Sequence, residues 1–327
     1  MIRKYSELMV LSIVLVVISS LMWAMNGSTF MHVGNFQSMA FQMPELGVLS
    51  LAMMFAMLTS GINLSIIASA NLSGIVMALI LTQTVSSDAT GLGAVGMVIL
   101  AILAGLAVSG SIGLLNGFLI AVLDISPILA TLGTMIMGGG LSLVLTRGYV
   151  LSGLPPAMLW IGNGLIFGIP VPILVFAACA LIMSLILRRT PLGERIYLIG
   201  SNPTACFYSG VNNRAVLIRT YLISGIYAGV AAVIMIARFN SAKADYGESY
   251  LLLTVLASVL GGVNPAGGFG RVAGLTLALI ILQILSSGLN LMGVSNFLTL
   301  SLWGIILIFV MVIKYITEYS QERRQMA

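Results

Sequence analysis

Of the chain's 327 residues, 59% are hydrophobic and only 7% are charged, against roughly a quarter charged in an ordinary soluble domain. A water-soluble fold of this length could not cover its surface with so few charges, and no stretch is polar enough to form a second, soluble domain. The net charge of +5 comes from 14 Lys and Arg residues scattered over short polar gaps, with no basic stripe or aromatic-interleaved groove; this excludes nucleic acid as a partner and leaves one polytopic domain over residues 1–327, embedded in the lipid bilayer.

The chain begins Met1-Ile2-Arg3-Lys4, followed by an apolar stretch Leu8–Met25 without a small-x-small cleavage site, which reads as an uncleaved first span. A helix needs about 20 apolar residues to cross a hydrocarbon core of ~30 Å. Nine further segments approach that standard: Leu46–Leu58, Leu64–Leu81, Val95–Ile120, Pro127–Leu145, Val171–Leu187, Leu217–Ala237, Leu251–Gly262, Val272–Leu285 and Phe297–Ile313. The second, eighth and ninth are short by hydropathy alone and are expected to extend into polar neighbours, as at Phe41-Gln42-Met43. Continuous apolar runs, rather than alternation over about ten residues, exclude a barrel. The expected fold is an all-α membrane protein of about ten transmembrane helices, each satisfying its own backbone hydrogen bonds.

The charges test this count. With Arg3 and Lys4 inside and every span reversing sides, the cytoplasmic gaps hold Arg3, Lys4, Arg188, Arg189, Arg195, Arg214, Arg219, Arg271, Lys314, Arg323 and Arg324, and the opposite side holds Arg147, Arg238 and Lys243. An inner excess of this kind sets orientation. Both termini are therefore expected to be cytoplasmic. Cys179, in an apolar run, and Cys206, in an inner gap, read as reduced thiols.

Small residues let membrane helices approach closely, as at Gly113-x-x-x-Gly117 and Gly225-x-x-x-Gly229. The 20 methionines read mainly as core or lipid-facing filler. Met53, Met54 and Met57 form the one cluster placed to line a pathway. No catalytic chemistry is legible. Gly91-Leu92-Gly93-Ala94-Val95-Gly96 matches a dinucleotide fingerprint by letters only, since no strand precedes it and no acidic residue follows at the required distance. There is no Gly-Lys pair for a phosphate-binding loop, and His32 is the single histidine, so the chain is expected to carry no cofactor or metal of its own.

The most informative polar stretch lies between the sixth and seventh spans, at about residues 188–217. Ser201 or Asn202 can cap a helix with Pro203 at its first position, and Gly210 can end that helix after about two turns. Spacing alone leaves two readings: a solvated connector, or a short helix that passes a partner's motion to the flanking spans.

This loop resembles the ATPase-contacting loop of bacterial ABC importer permeases for simple sugars, the ribose, arabinose, xylose and autoinducer-2 group. The pattern Thr-x-x-Gly, Gly-x-Asn-x-x-Ala and Gly-hydrophobic is met by Thr190, Gly193, Gly200, Asn202, Ala205 and Gly210-Val211. Thr59-Ser60-Gly61-Ile62-Asn63-Leu64-Ser65 is similar to that family's Ser-Gly-Gly-Ile-Asp-Leu-Ser signature. Ala257-Ser258-Val259-Leu260-Gly261-Gly262 and Gly267-Gly268-Phe269-Gly270 are similar to its later glycine runs. Two departures stand out. Asn63 replaces the common Asp, keeping hydrogen bonds but losing charge, and Ile66-Ile67 replace Val-Gly; both would suit one half of a heterodimeric permease.

The resemblance implies a vitamin B12 permease-like architecture in the bacterial cytoplasmic (inner) membrane. It implies a second permease subunit in a homo- or heterodimer, two cytoplasmic ABC ATPase subunits or one fused double ATPase carrying ATP and Mg, and an extracytoplasmic sugar-binding protein. Thr190, Gly193, Glu194, Arg195, Gly200, Asn202, Pro203, Thr204, Ala205, Tyr208 and Gly210 would then form the ATPase-coupling loop. Polar residues inside a membrane are costly and mark candidate path linings; here these are Gln42, Glu45, Asn63, Asn71, Thr131 and Thr134. Glu45, just after Pro44, has the equal reading of favouring a helix N-terminus at the outer interface. A charged substrate should leave a paired intramembrane charge, for which the sequence shows no clear candidate, so a neutral sugar or sugar-like solute such as autoinducer-2 is expected. An ion-coupled secondary transporter and a non-transporting membrane scaffold are the alternatives.

Overall fold

The computed structural model describes residues 2–86, 89, 91–295, 297–308 and 312. The helices are α1 (Ile2–Asn26), α2 (Val33–Leu58), α3 (Ile66–Thr84), α4 (Leu92–Ala121), α5 (Pro127–Thr146), α6 (Pro156–Asn163), α7 (Val171–Arg189), α8 (Pro191–Ser201), α9 (Pro203–Tyr208), α10 (Asn213–Phe239), α11 (Tyr250–Leu260), α12 (Val272–Leu291) and α13 (Phe297–Ile308). Each of the ten predicted apolar segments coincides with a helix over most of its described residues. Eight of these helices are long and apolar enough to cross a membrane, and α11 and α13 are shorter. Lys314, Arg323, Arg324 and the end of the tenth predicted segment lie outside the described residues.

The second and ninth segments extend as expected, α2 back to Val33 and α12 on to Leu291. The eighth does not. Residues 244–249 are turns, Gly261 caps the helix end, and Gly262 takes φ +81°. The resulting 11-residue helix is about 16 Å long.

Position in the bundle follows composition. Every residue of α2 from Met43 to Leu58 except Leu46 is buried, and a helix that is apolar on all sides belongs at a centre. Met53, Met54 and Met57 are fully buried there, in the principal core cluster, so they fill the core and line no pathway. Helices α10, α7, α11 and α12 pack on α2, and α3 packs on α4, α10 and α5; α4, α5 and α7 turn large apolar side chains outward, and α1 packs on α12. The two glycine pairs read from sequence pack against each other. A Cβ on Gly225 would meet the Ser109 carbonyl and lie 3.0 Å from the Gly113 Cα, and one on Gly117 would lie 2.7 Å from the Ile218 Cα.

The gaps assigned to one side of the membrane meet in space. At one end, residues 59–63 contact Gly200, Ala266 and Thr131. At the other, strands β1 (Leu151–Ser152) and β4 (Ser241–Ala242) pair antiparallel, Asn163 bonds the Ala237 carbonyl, and Ser287 bonds Asn35. Between them in sequence, β2 (Leu165–Ile166) and β3 (Ile169–Pro170) form a hairpin whose turn residues Phe167 and Gly168 both have positive φ.

Candidate functional site

At the end where residues 59–63 lie, three separate segments are tied into one knot. The α2 C-terminus presents the Leu58 carbonyl, which accepts from the Gly268 N–H at 3.0 Å. Ser60 lies at φ +61°, with its hydroxyl between the carbonyls of Gly200 (3.0 Å) and Ala266 (2.6 Å). A Cβ on Gly200 would run into the Leu58 carbonyl and the Gly268 nitrogen. The Tyr197 hydroxyl donates to the Gly270 carbonyl at 2.8 Å. Burial raises its pKa above the ordinary phenol value, against opposing pulls from Arg188 and Arg271, so it remains a donor.

The predicted coupling stretch forms two helices where the sequence reading expected one. Helix α8 was missed although Thr190-Pro191 carries a start signal: the Thr190 hydroxyl oxygen accepts from the Gly193 N–H at 3.3 Å. Gly193 is buried against Leu187, and Glu194 and Arg195 are exposed. A cavity of about 580 Å³ opens beside them, lined in part by Arg188, Arg189, Glu194 and Tyr197. Helix α9 begins as the sequence predicts. The Asn202 side chain accepts from the Ala205 N–H at 2.9 Å, Pro203 occupies the first turn, and Gly210 follows the helix at φ +78°. Asn213 donates to the Pro203 carbonyl at 2.8 Å, pinning α9 to the start of α10. Cys206 faces inward, whereas Pro203, Thr204, Phe207 and Tyr208 face out, the two rings 68% and 83% exposed.

Deeper in the bundle, Asn63, Thr131 and Thr134 belong to a buried polar network. Asn63 donates to Ser224 at 2.9 Å and accepts from the N–H and hydroxyl of Ser65 at 3.1 and 2.8 Å. Asn116 donates to the Ser65 hydroxyl at 2.8 Å, and Thr134 donates to Asn116 at 2.7 Å. Thr131 bridges the Ile62 carbonyl and the Leu64 N–H, both at 3.1 Å. These bonds fasten the α2–α3 turn to α4, α5 and α10, with every member committed to partners within this chain. Ser65 entered the sequence reading only as the end of the Thr59–Ser65 signature, and Asn116 and Ser224 were missed, because a lone hydroxyl or amide in an apolar run carries no periodic signal.

The remaining three polar candidates lie toward the other end. Glu45 sits in the middle of α2, with Pro44 inside the same helix, so it occupies no helix N-terminus. It forms a 2.7 Å ion pair with Arg238 and accepts from the Tyr250 hydroxyl at 3.4 Å. This is the paired charge that sequence reading did not find, since its partners stand 193 and 205 residues away. Glu45 is buried and Arg238 keeps 22% of its side chain exposed, so the guanidinium reaches in from the rim. Asn71 donates to the carbonyls of Ala244 and Tyr246 at 2.8 and 3.0 Å. Gln42, on the exposed flank of α2, accepts from Gln283 at 3.4 Å.

Residues 35–313 match the family model described as "Branched-chain amino acid transport system / permease component". The chain is 33% identical over 302 residues to the ribose import permease protein of Bacillus subtilis (strain 168), covering 92% of this chain and 89% of that protein. It is 30% identical over 286 residues to the autoinducer 2 import system permease proteins of Escherichia coli (strain K12) and Shigella flexneri, covering 86% of this chain and 83% of each. No solved structure matches it. With its apolar helices and this match over most of its length, the chain is a multi-pass inner-membrane protein belonging to the branched-chain amino acid transport system permease component family.

Proposed function

We propose that this chain is the transmembrane subunit of an ATP-driven importer for a neutral sugar or sugar-like solute of the ribose or autoinducer-2 kind. A second permease subunit completes the path. Cytoplasmic ATPase subunits bind ATP and Mg and supply the energy, and an extracytoplasmic binding protein delivers the solute. The knot end, rich in arginine, faces the cytoplasm, as do both termini.

The observation that carries this reading is α9. It exposes Phe207 and Tyr208 to solvent, and exposed aromatics are favoured anchors for a protein partner. Through Asn213 it is pinned to α10, and α8 carries Gly200 in its last turn, where Ser60 and Gly268 join it to α2 and the α11–α12 connection. A rigid push on α9 therefore reaches the inner ends of at least three helices at once. An ion-coupled carrier would need an acid free to change partners within the spans; Glu45 is already held by Arg238 and Tyr250.

Co-purification tests the assignment. The wild-type chain should hold its cognate ATPase through detergent extraction. Phe207→Ala with Tyr208→Ala should lose it, with the unfolding midpoint of the permease unchanged. Retention of the ATPase by that variant, or sugar uptake driven by the chain alone under a proton gradient, would overturn the reading.

A further inference from the structure

The short α11 leaves part of the bundle's depth to irregular chain. Its first residue, Tyr250, reaches Glu45, and the loop after it bonds Leu58. Those two levels on α2 are about 20 Å apart. Residues 240–249 fold back to the level of Asn71, which holds the carbonyls of Ala244 and Tyr246. From Asn71, α3 continues to Thr84, again about 20 Å. Backbone without helix at such depth is tolerated where it is buried in protein or lines a watery cavity.

A cavity of about 380 Å³ is present there, lined by Phe239, Ser241, Tyr246, Gly247, Ser249 and Tyr250. Its walls carry three aromatic rings, two serine hydroxyls and a glycine. Ser241 and Tyr246 bond each other at 2.7 Å, and the Phe239 and Tyr246 rings meet edge to face at 5.3 Å. The two cations behind the wall each face a carboxylate. Arg238 lies 5.2 Å over the Phe239 ring while neutralising Glu45, and Lys243 pairs with Asp245 at 2.7 Å. Rings offer flat apolar faces to the C–H side of a sugar, and hydroxyls match its polar edge.

We infer that this cavity is a carbohydrate site on the transport path, with Phe239 and Tyr246 as its contact residues and Asn71 and Glu45 as the residues that position its walls. This rests on the sugar-permease reading above. It also accounts for two of the six polar residues singled out by sequence, which support the cavity from behind.

The test is saturation-transfer NMR on the full chain in lipid nanodiscs, with D-ribose, D-xylose and D-galactose as probes and L-leucine as the control. Saturating the aromatic protons should transfer to at least one sugar and not to leucine. Phe239→Leu and Tyr246→Leu should each weaken that sugar's apparent affinity by about tenfold, with uptake by the complete importer falling in parallel. Phe239→Tyr keeps a ring in place and should retain the transfer, which keeps the test decisive if the leucine variants misfold. The inference is overturned if no sugar receives saturation, if leucine does so instead, or if the ring variants bind like wild type. Failure of the parent reading looks different: sugar uptake would persist in cells lacking the chain.

Discussion

The side-chain amide nitrogen of Asn63 donates to the hydroxyl oxygen of Ser224 across 2.9 Å, and neighbouring groups fix the direction of that bond. The Ser65 backbone N–H points at the other amide atom, which must therefore be the oxygen. Ser224 spends its own hydrogen on the Ala52 carbonyl at 2.8 Å, so toward Asn63 it can only accept. A carboxylate at position 63 would set acceptor against acceptor. The departure from the family's Asp thus has a local reason: this pocket calls for a donor.

Asn63→Asp is accordingly expected to destabilise the protein by about 2–3 kcal/mol, the cost of an unmatched and charged buried acceptor. Thermal unfolding of the purified chain measures it. In a Ser224→Ala background the opposing oxygen is gone, and the same substitution should cost clearly less. Equal penalties in the two backgrounds would show that the directional bond is not the cause.

Two glycines of the coupling segment should respond in opposite ways to one methyl group. At Gly200 the added carbon would meet backbone of Leu58 and Gly268, which no rotamer change can move aside. Gly200→Ala should cost about 3 kcal/mol or more as the knot is forced apart, read as faster protease cleavage between α8 and α9. Gly210 has open space around it and φ +78°, so Gly210→Ala should cost only about 1–2 kcal/mol of left-handed strain and leave the knot closed.

How far these features could be read from sequence depended on their range. Helix α9 was legible because Asn202, Pro203 and Gly210 signal their roles within nine residues. The ten apolar segments were legible because a span must satisfy its own backbone. The length of α11 was not, since hydropathy at Leu251–Gly262 cannot show that the preceding chain folds inward on Asn71. The same limit hid Ser60: its hydroxyl joins Gly200 and Ala266, 140 and 206 residues away. Pairing across such distances is a property of the packed bundle, and no local pattern encodes it.

The Glu45–Arg238 pair makes a further prediction. Arg238→Ala leaves a buried carboxylate with only a 3.4 Å hydroxyl to face, and breaking a buried pair from one side costs about 3–5 kcal/mol. The lower end applies, since Arg238 is partly solvated. Adding Glu45→Gln to Arg238→Ala removes the stranded charge and should recover more than half of the loss. A double variant no more stable than the single would mean that Arg238 acts through its packing on Phe239 instead.

The contact between α4 and α10 gives the last prediction. Gly113 and Gly225 face each other with so little room that a Cβ on Gly225 would lie 3.0 Å from the Gly113 Cα, and one on Gly113 would lie 3.2 Å from the Gly225 Cα. Their neighbours are main-chain atoms, so an added methyl can be housed only by moving the helices apart. That movement forfeits close packing along the seam, and each of Gly113→Ala and Gly225→Ala should cost about 1–3 kcal/mol. One separation of the helices accommodates both methyls, so the double variant should fall short of the sum of the singles, as coupled neighbours do. Gly133, on the outward face of α5 with nothing within 4 Å, is the internal control. Gly133→Ala meets no obstacle and gains helix propensity worth up to ~1 kcal/mol, so its unfolding midpoint should hold or rise. Strictly additive losses at Gly113 and Gly225 would show that the two glycines serve their own helices and not the seam between them.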